Sequence, residues 1–164
     1  MATREIKIFP DPVLRAETKK IDKFDDELQK LVSDMFETMY FSDGIGLAAP
    51  QIGVSQKVVV IDYHGDKYTL VNPVITKCEG SVVNEEGCLS FPGIYEKVSS
   101  PEKISVDFYD EKGNEHSLDL DGFIACVFCH EIDHLNGRML IDRVSPVKKT
   151  FIKKKLAKRE GSKR

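Results

Sequence analysis

FIACVFCHEIDHLNG, residues 123–137, carries two histidines four apart, with a glutamate beside the first: His130, Glu131 and His134. Read as a helix ended by Gly137, it stacks both imidazoles on one face, where they can grip one ion. Before it, KVVVID and YTLVNPVI read as strands, as do KISVDFYD and HSLDLDG by alternation. They do not alternate with helices, which excludes a doubly wound sheet. The expected class is α+β, with antiparallel sheets around a central metal-binding helix and a further helix at the C-terminus.

DDELQKLVSDMFETMY, from residue 25, is an amphipathic helix: Leu28, Leu31, Val32, Met35, Phe36 and Met39 recur at helical spacing. Asp25 and Asp26 suit its start, and Gly44 is read as its stop. GIGLAAPQIG, residues 44–53, is too rich in glycine and alanine for a packed strand or a good helix. It lets a backbone approach something closely. EEGCLSFPG, from Glu85, has no strong helix or strand character. RMLIDRV, from Arg138, reads as a short strand, and KKTFIKKKLAKRE as a basic helix entered after Pro146.

With 164 residues the chain is expected to form one domain, residues 1–164. A hydrophobic fraction of 41% supports a core, in which Phe and Leu stand in for the missing Trp. No apolar run reaches membrane-spanning length, and the start MATREIKIFPDPVLR lacks a secretory signal's apolar stretch, so the expected compartment is the cytoplasm. The four cysteines are then thiols. The net charge of −3 hides an asymmetry: residues 148–164 hold nine Lys and Arg against one acid, the rest 15 against 26. A basic tail on an acidic body suits a polyanionic partner.

HExxH suits a metal that ionises water while the glutamate carries the proton, although the pattern also occurs on helices without metal. The third ligand decides the chemistry. No histidine follows His134, the only later glutamate is Glu160 in the basic tail, and Asp133 points off the shared face. The third ligand is therefore expected upstream, where Cys88 would complete a Cys-His-His site with one position open. By itself Cys88 also reads as a buried small hydrophobe. His64 and His116 read as solvated.

Three segments in order, GIGLAAPQ, EGCLS and HEIDH, with the early DPVLR and the LNG after His134, resemble the peptide deformylases of the compact bacterial kind over nearly the whole chain. The resemblance implies that Cys88, His130 and His134 bind the metal and that Glu131 is the general acid and base. It implies that the Gln51 side chain and the Leu89 backbone N–H hold the oxygen of the tetrahedral intermediate. Ile45 and Gly46 would lie along the substrate, with Gly87 opposite. The implied reaction removes the N-formyl group from N-formylmethionine of nascent polypeptides and releases formate. Fe²⁺ is the implied ion, with Zn²⁺ or another divalent metal able to replace it.

Helical spacing places Phe123, Val127, His130 and His134 on one face, with Cys126 at its margin. With Ile45 they could line a slot for an unbranched side chain, although Phe123 also reads as core. Two positions depart from the family pattern: Cys129 stands where Gln is usual, and Tyr95 where some relatives carry an arginine that contacts the peptide. Losing that Gln could weaken a hydrogen bond behind the metal ligands. Cys126 and Cys129 form a CxxC, read as buried hydrophobes rather than as a zinc half-site. In the tail, Phe151, Ile152 and Leu156 form an apolar edge. The helix either packs on the body with a solvated basic face or docks on ribosomal RNA. Competing readings are another metallopeptidase class, which lacks a third His or Glu ligand here, and an inactive metal-binding relative.

Overall fold

The computed structural model describes residues 2–162. Lys163 and Arg164, counted above in the tail, and the Glu160 side chain lie outside the described residues. The order is α1 (Asp26–Phe41), β1 (Gly46–Ala48), β2 (Val58–Tyr63), β3 (Asp66–Glu79), β4 (Val82–Cys88), β5 (Phe91–Ser100), β6 (Lys103–Tyr109), β7 (Glu115–Asp121), α2 (Phe123–Leu135) and α3 (Pro146–Ser162), with short 3-10 turns between. Five antiparallel strands form one sheet in the order β1-β2-β3-β6-β7, and β4 pairs with β5 in a separate hairpin. This is the α+β arrangement the sequence implies.

β2 shows why the helices sit where they do. Its side chains alternate: Val59 and Ile61 face α2, while Val58 and Val60 face α1. The strand is buried on both sides and so reads as one apolar run. α1 presents Leu28, Leu31, Val32, Met35 and Met39 to its side. α2 lays Ala125, Phe128, Cys129, Ile132 and Leu135 on the other, against Ile104, Val106 and Phe108 of β6. The opposite side of α2 meets the β4–β5 hairpin, where Asn84 Nδ2 donates to Cys126 Sγ at 3.3 Å. α2 is therefore central, between sheet and hairpin.

Four local expectations are corrected. GIGLAAPQ contains a packed strand after all: β1 pairs with β2, and Leu47 and Ala48 are fully buried. Pairing at the sheet edge overrides the weak propensity. The end of α1 is not set by Gly44; Asp43 adopts the left-handed conformation at φ 56°. Gly44 is small for another reason, because a Cβ there would lie 2.7 Å from Leu89 Cδ1. The stretch around Cys88 is strand, not irregular. RMLIDRV is a 3-10 turn at Leu140–Arg143, because Asp142 accepts from Met139 N at 2.9 Å and closes the turn.

α3 starts at Pro146, whose missing N–H costs nothing there. Ile152 and Leu156 are buried against Leu14, Phe91 and Ile94, but Phe151 is 65% exposed, so the apolar edge excludes it. Lys148 pairs with Glu96, and Lys155 Nζ donates to Gly93 O at 3.0 Å. Lys153, Lys154 and Lys158 lie exposed. Among the described residues no helix is long and apolar enough to cross a membrane.

Candidate metal centre and substrate cleft

α2 supplies His130, Glu131 and His134; the end of β4 supplies Cys88. The donor atoms of Cys88, His130 and His134 all lie within 4.8 Å of one another, the one such group among the described residues. His134 is fully buried, with Nε2 3.3 Å from Cys88 Sγ. Burial, reinforced by the charge of His130, holds its pKa down to about 3, so the imidazole is neutral, as a metal ligand must be.

His130 differs. Its Nδ1 lies 3.2 Å from Glu86 Oε1, which leaves Nε2 as the open ring nitrogen. Burial disfavours its charge, but hydrogen bonds to Cys88 and Glu86 outweigh this and raise its pKa well above the usual value. A divalent cation between the donors would take the place of that proton. Glu86 is itself buried and accepts from Ser100 Oγ at 3.1 Å. Such a carboxylate orients the imidazole behind which it sits and fixes its tautomer, as partners of metal-binding histidines do.

Glu86 is the member of this cluster that the sequence reading missed. A signal existed: Glu86 and Cys88 are two apart, the spacing that shares one face of a strand. Reading EEGCLS as irregular hid it. The hydrogen bond behind His130 therefore comes from β4, not from position 129. Cys129 is 3% exposed in the α2 core, its thiol pushed up to about 12 by burial. Cys126 is also buried, and neither joins a metal-binding group.

Glu131 is buried, and its Oε1 has no hydrogen-bond partner. It lies 3.9 Å from His134 Nε2, too far for a hydrogen bond, and the neutral imidazole makes no ion pair. Burial, opposed by the charge of His130 and aided by that of Glu86, pushes Glu131 up to about 7. A buried carboxylate oxygen beside three convergent donors is the mark of a group awaiting a polar partner. The set of one thiol and two imidazoles suits Fe²⁺ or Zn²⁺. The residues therefore fit a metal.

The cleft, about 470 Å³, opens over this centre. One wall is β1. Asp62 N donates to Ile45 O at 3.0 Å, and bonded pairs alternate in an antiparallel ladder. Gly46 therefore turns its N–H and C=O away from β2, toward the cleft. A Cβ on Gly46 would lie 2.5 Å from Glu131 Oε2, so only glycine lets this edge approach the carboxylate. The other wall holds Gly87, whose bare face is covered by the Tyr95 ring. Gln51 is locked: its Oε1 accepts from Ala48 N at 2.9 Å and its Nε2 donates to Ser90 Oγ at 3.1 Å. Nε2 also lies 3.5 Å from Cys88 Sγ, so its second hydrogen is directed at the metal-binding group. Leu89, Phe123, Cys126, Val127 and Ile45 line the same cleft, with Phe123 41% exposed at its mouth. The structure thus brings every proposed site residue to one place. His64 and His116 stay apart; His116 Nε2 lies 2.8 Å from Asp110 Oδ2.

The family model of polypeptide deformylases matches residues 3–150. The peptide deformylase of Neisseria gonorrhoeae is 44% identical over 163 residues, 98% of each chain. That of Thermotoga sp. (strain RQ2) is 45% identical over 152 residues, 92% of this chain and 93% of that protein. The crystal structure of a peptide deformylase from Legionella pneumophila superposes with a TM-score of 0.95 at 42% identity, covering 99% of this chain and 98% of that one.

Proposed function

The chain belongs to the polypeptide deformylase family, and from that premise we propose that Cys88, His130 and His134 hold the metal and that Glu131 moves the proton. It is a hydrolase that removes the N-formyl group of nascent polypeptides and releases formate. The observation that carries the site assignment is the partnerless Oε1 of buried Glu131 beside the three convergent donors.

A metal held by Cys88, His130 and His134 would supply Lewis acidity for the hydrolysis. Glu131 accepts a proton from the attacking water and delivers it to the departing amine as the C–N bond breaks. The Gln51 Nε2–H and the Leu89 N–H donate to the oxygen of the tetrahedral intermediate. Ile45 and Gly46 pair with the extended peptide along one side, and Gly87 faces it from the other. Such backbone pairing is indifferent to side chains. Selection falls to the slot of Phe123, Cys126, Val127 and Ile45, which suits the unbranched methionine. Fe²⁺ is the proposed resident ion, with Zn²⁺ or another divalent metal as substitute. We read residues 1–164 as a single catalytic domain acting in the cytoplasm.

The exposed lysines of α3 support docking to ribosomal RNA, a contact that salt should weaken. Deletion of residues 148–164 tests it: unchanged ribosome affinity removes the idea. The decisive experiment for the site is formate release from formyl-Met-Ala-Ser by protein loaded anaerobically with Fe²⁺. Wild type should release formate, and Glu131→Ala should keep the metal and release almost none. A Glu131→Ala protein with a near-normal rate overturns the assignment.

A further inference from the structure

The cleft wall at β1 is short, and its free end needs an anchor. β1 has three residues, and the bond from Asp62 N to Ile45 O is the last that ties this edge to β2 on the side of α1. Between Tyr40, near the end of α1, and Ile45, the chain turns through Asp43 in the left-handed conformation. Ser42, Asp43, Gly44 and Ile45 all line the cleft. A turn of this kind, in a non-glycine residue, persists where its surroundings hold it.

One side-chain bond closes this turn. Tyr40 OH donates to Asp62 Oδ2 at 2.5 Å, a short bond to a carboxylate. The other oxygen, Oδ1, accepts from Gly65 N at 2.9 Å. Asp62 therefore grips three things at once: α1 through Tyr40, the β2–β3 hairpin through Gly65, and the cleft edge through its own N–H to Ile45. The Tyr40 ring stacks on Phe36 at 6.1 Å, and Lys67 Nζ lies 5.8 Å from its centre. Tyr40 is 44% exposed, so it contributes little to the core. Its hydroxyl is held well protonated, the phenol pushed up to about 12 by partial burial and by Asp62, so it stays a donor across the working pH range.

We propose that Tyr40 is a positioning residue for deformylation: through Asp62 it holds the Ile45–Gly46 edge at the spacing that pairs with the peptide backbone. It touches neither substrate nor metal. The inference rests on the reading of that edge as the substrate-pairing wall.

The test is Tyr40→Phe in metal-loaded protein, with Asp62→Asn and Glu131→Ala alongside. Tyr40→Phe should raise KM for formyl-Met-Ala-Ser roughly three- to tenfold, the effect of one such hydrogen bond, with kcat within about twofold. The rise should be smaller for formylmethionine, which has less backbone to pair. Amide hydrogen exchange at Ile45–Leu47 should quicken while the thermal midpoint moves by no more than about 2 °C. Asp62→Asn keeps a neutral acceptor for Tyr40 and should give an intermediate KM. Unchanged KM and unchanged exchange in Tyr40→Phe overturn the proposal. So does a fall in kcat matched by a general loss of stability, which would make Tyr40 merely structural. A failure of the site reading shows separately, as turnover in Glu131→Ala. Faster exchange at 45–47 without any KM change would show that the clasp exists but not that it serves the substrate, and would also overturn the proposal.

Discussion

Replacing Glu86 should weaken metal binding without touching a ligand. Its Oε1 lies 3.2 Å from His130 Nδ1, and its Oε2 accepts from Ser100 Oγ. Partners behind a metal-ligating histidine typically matter about 10- to 100-fold in metal affinity. Glu86→Gln keeps the shape and can keep an acceptor toward Nδ1 but loses the charge, so the expected loss is near the lower end, about tenfold or ~1.4 kcal/mol. Glu86→Ala also leaves His130 Nδ1 and Ser100 Oγ without an acceptor in a buried place. Each such orphan costs about 1–3 kcal/mol, so the alanine variant should lose affinity near 100-fold and also fold less stably. The assay is competition with a graded chelator, read as the metal dissociation constant, with kcat measured separately at saturating metal. The ordering is the signature: Gln retains more metal than Ala, and saturating metal restores most of the rate in Gln. If both variants hold metal within twofold of wild type, Glu86 does not support His130 and the geometric argument is wrong.

Cys88→Ser should lose metal to chelators far faster than wild type, and the wild-type Fe²⁺ protein should lose activity in air as the metal or the thiolate oxidises; air-stable activity would argue against a thiolate ligand. Gly46→Ala places a methyl where Glu131 Oε2 sits, displacing a flexible carboxylate rather than the backbone, so kcat should fall about a hundredfold with little change in thermal midpoint; a near-normal rate would refute the close approach. Asp110, hydrogen-bonded to His116 and to backbone N–H groups after paying a burial penalty, has its pKa lowered from 3.8 to about 2. In that window the unfolded chain binds more protons than the folded one, so stability falls as pH drops. The difference in thermal midpoint between wild type and Asp110→Asn should therefore be full above pH 3.8 and shrink toward pH 2; a constant difference would show that the carboxylate charge is not involved.

The parts legible in the sequence are those whose signal is local. α1 and α2 announce themselves by helical spacing, β2 by an apolar run, and His130 and His134 by a separation that only a helix makes useful. The parts that were not legible depend on pairing between distant segments. β4, VVNEEGC, has polar residues or glycine at four of its seven positions, so it lacks the apolar alternation that marks a half-buried strand, and Glu86 went unnoticed with it. β1 consists of residues that are poor strand formers in isolation, and it becomes a strand because β2 is there to pair with. The 3-10 turn at Leu140–Arg143 offers three consecutive apolar residues, Met139 to Ile141, that fit a strand equally well until Asp142 closes on Met139 N. Of these stretches, β1 and β4 flank the centre that α2 carries. A local motif could therefore point to the helix, whereas the edge proposed to receive the peptide, the thiol of the convergent donor group and the carboxylate behind His130 come together only once β1 and β4 have found their partners. The family resemblance reached Cys88 and Gln51 by motif, but it could not show why Gly46 must be bare. That reason is a distance to Glu131, 85 residues further along the chain.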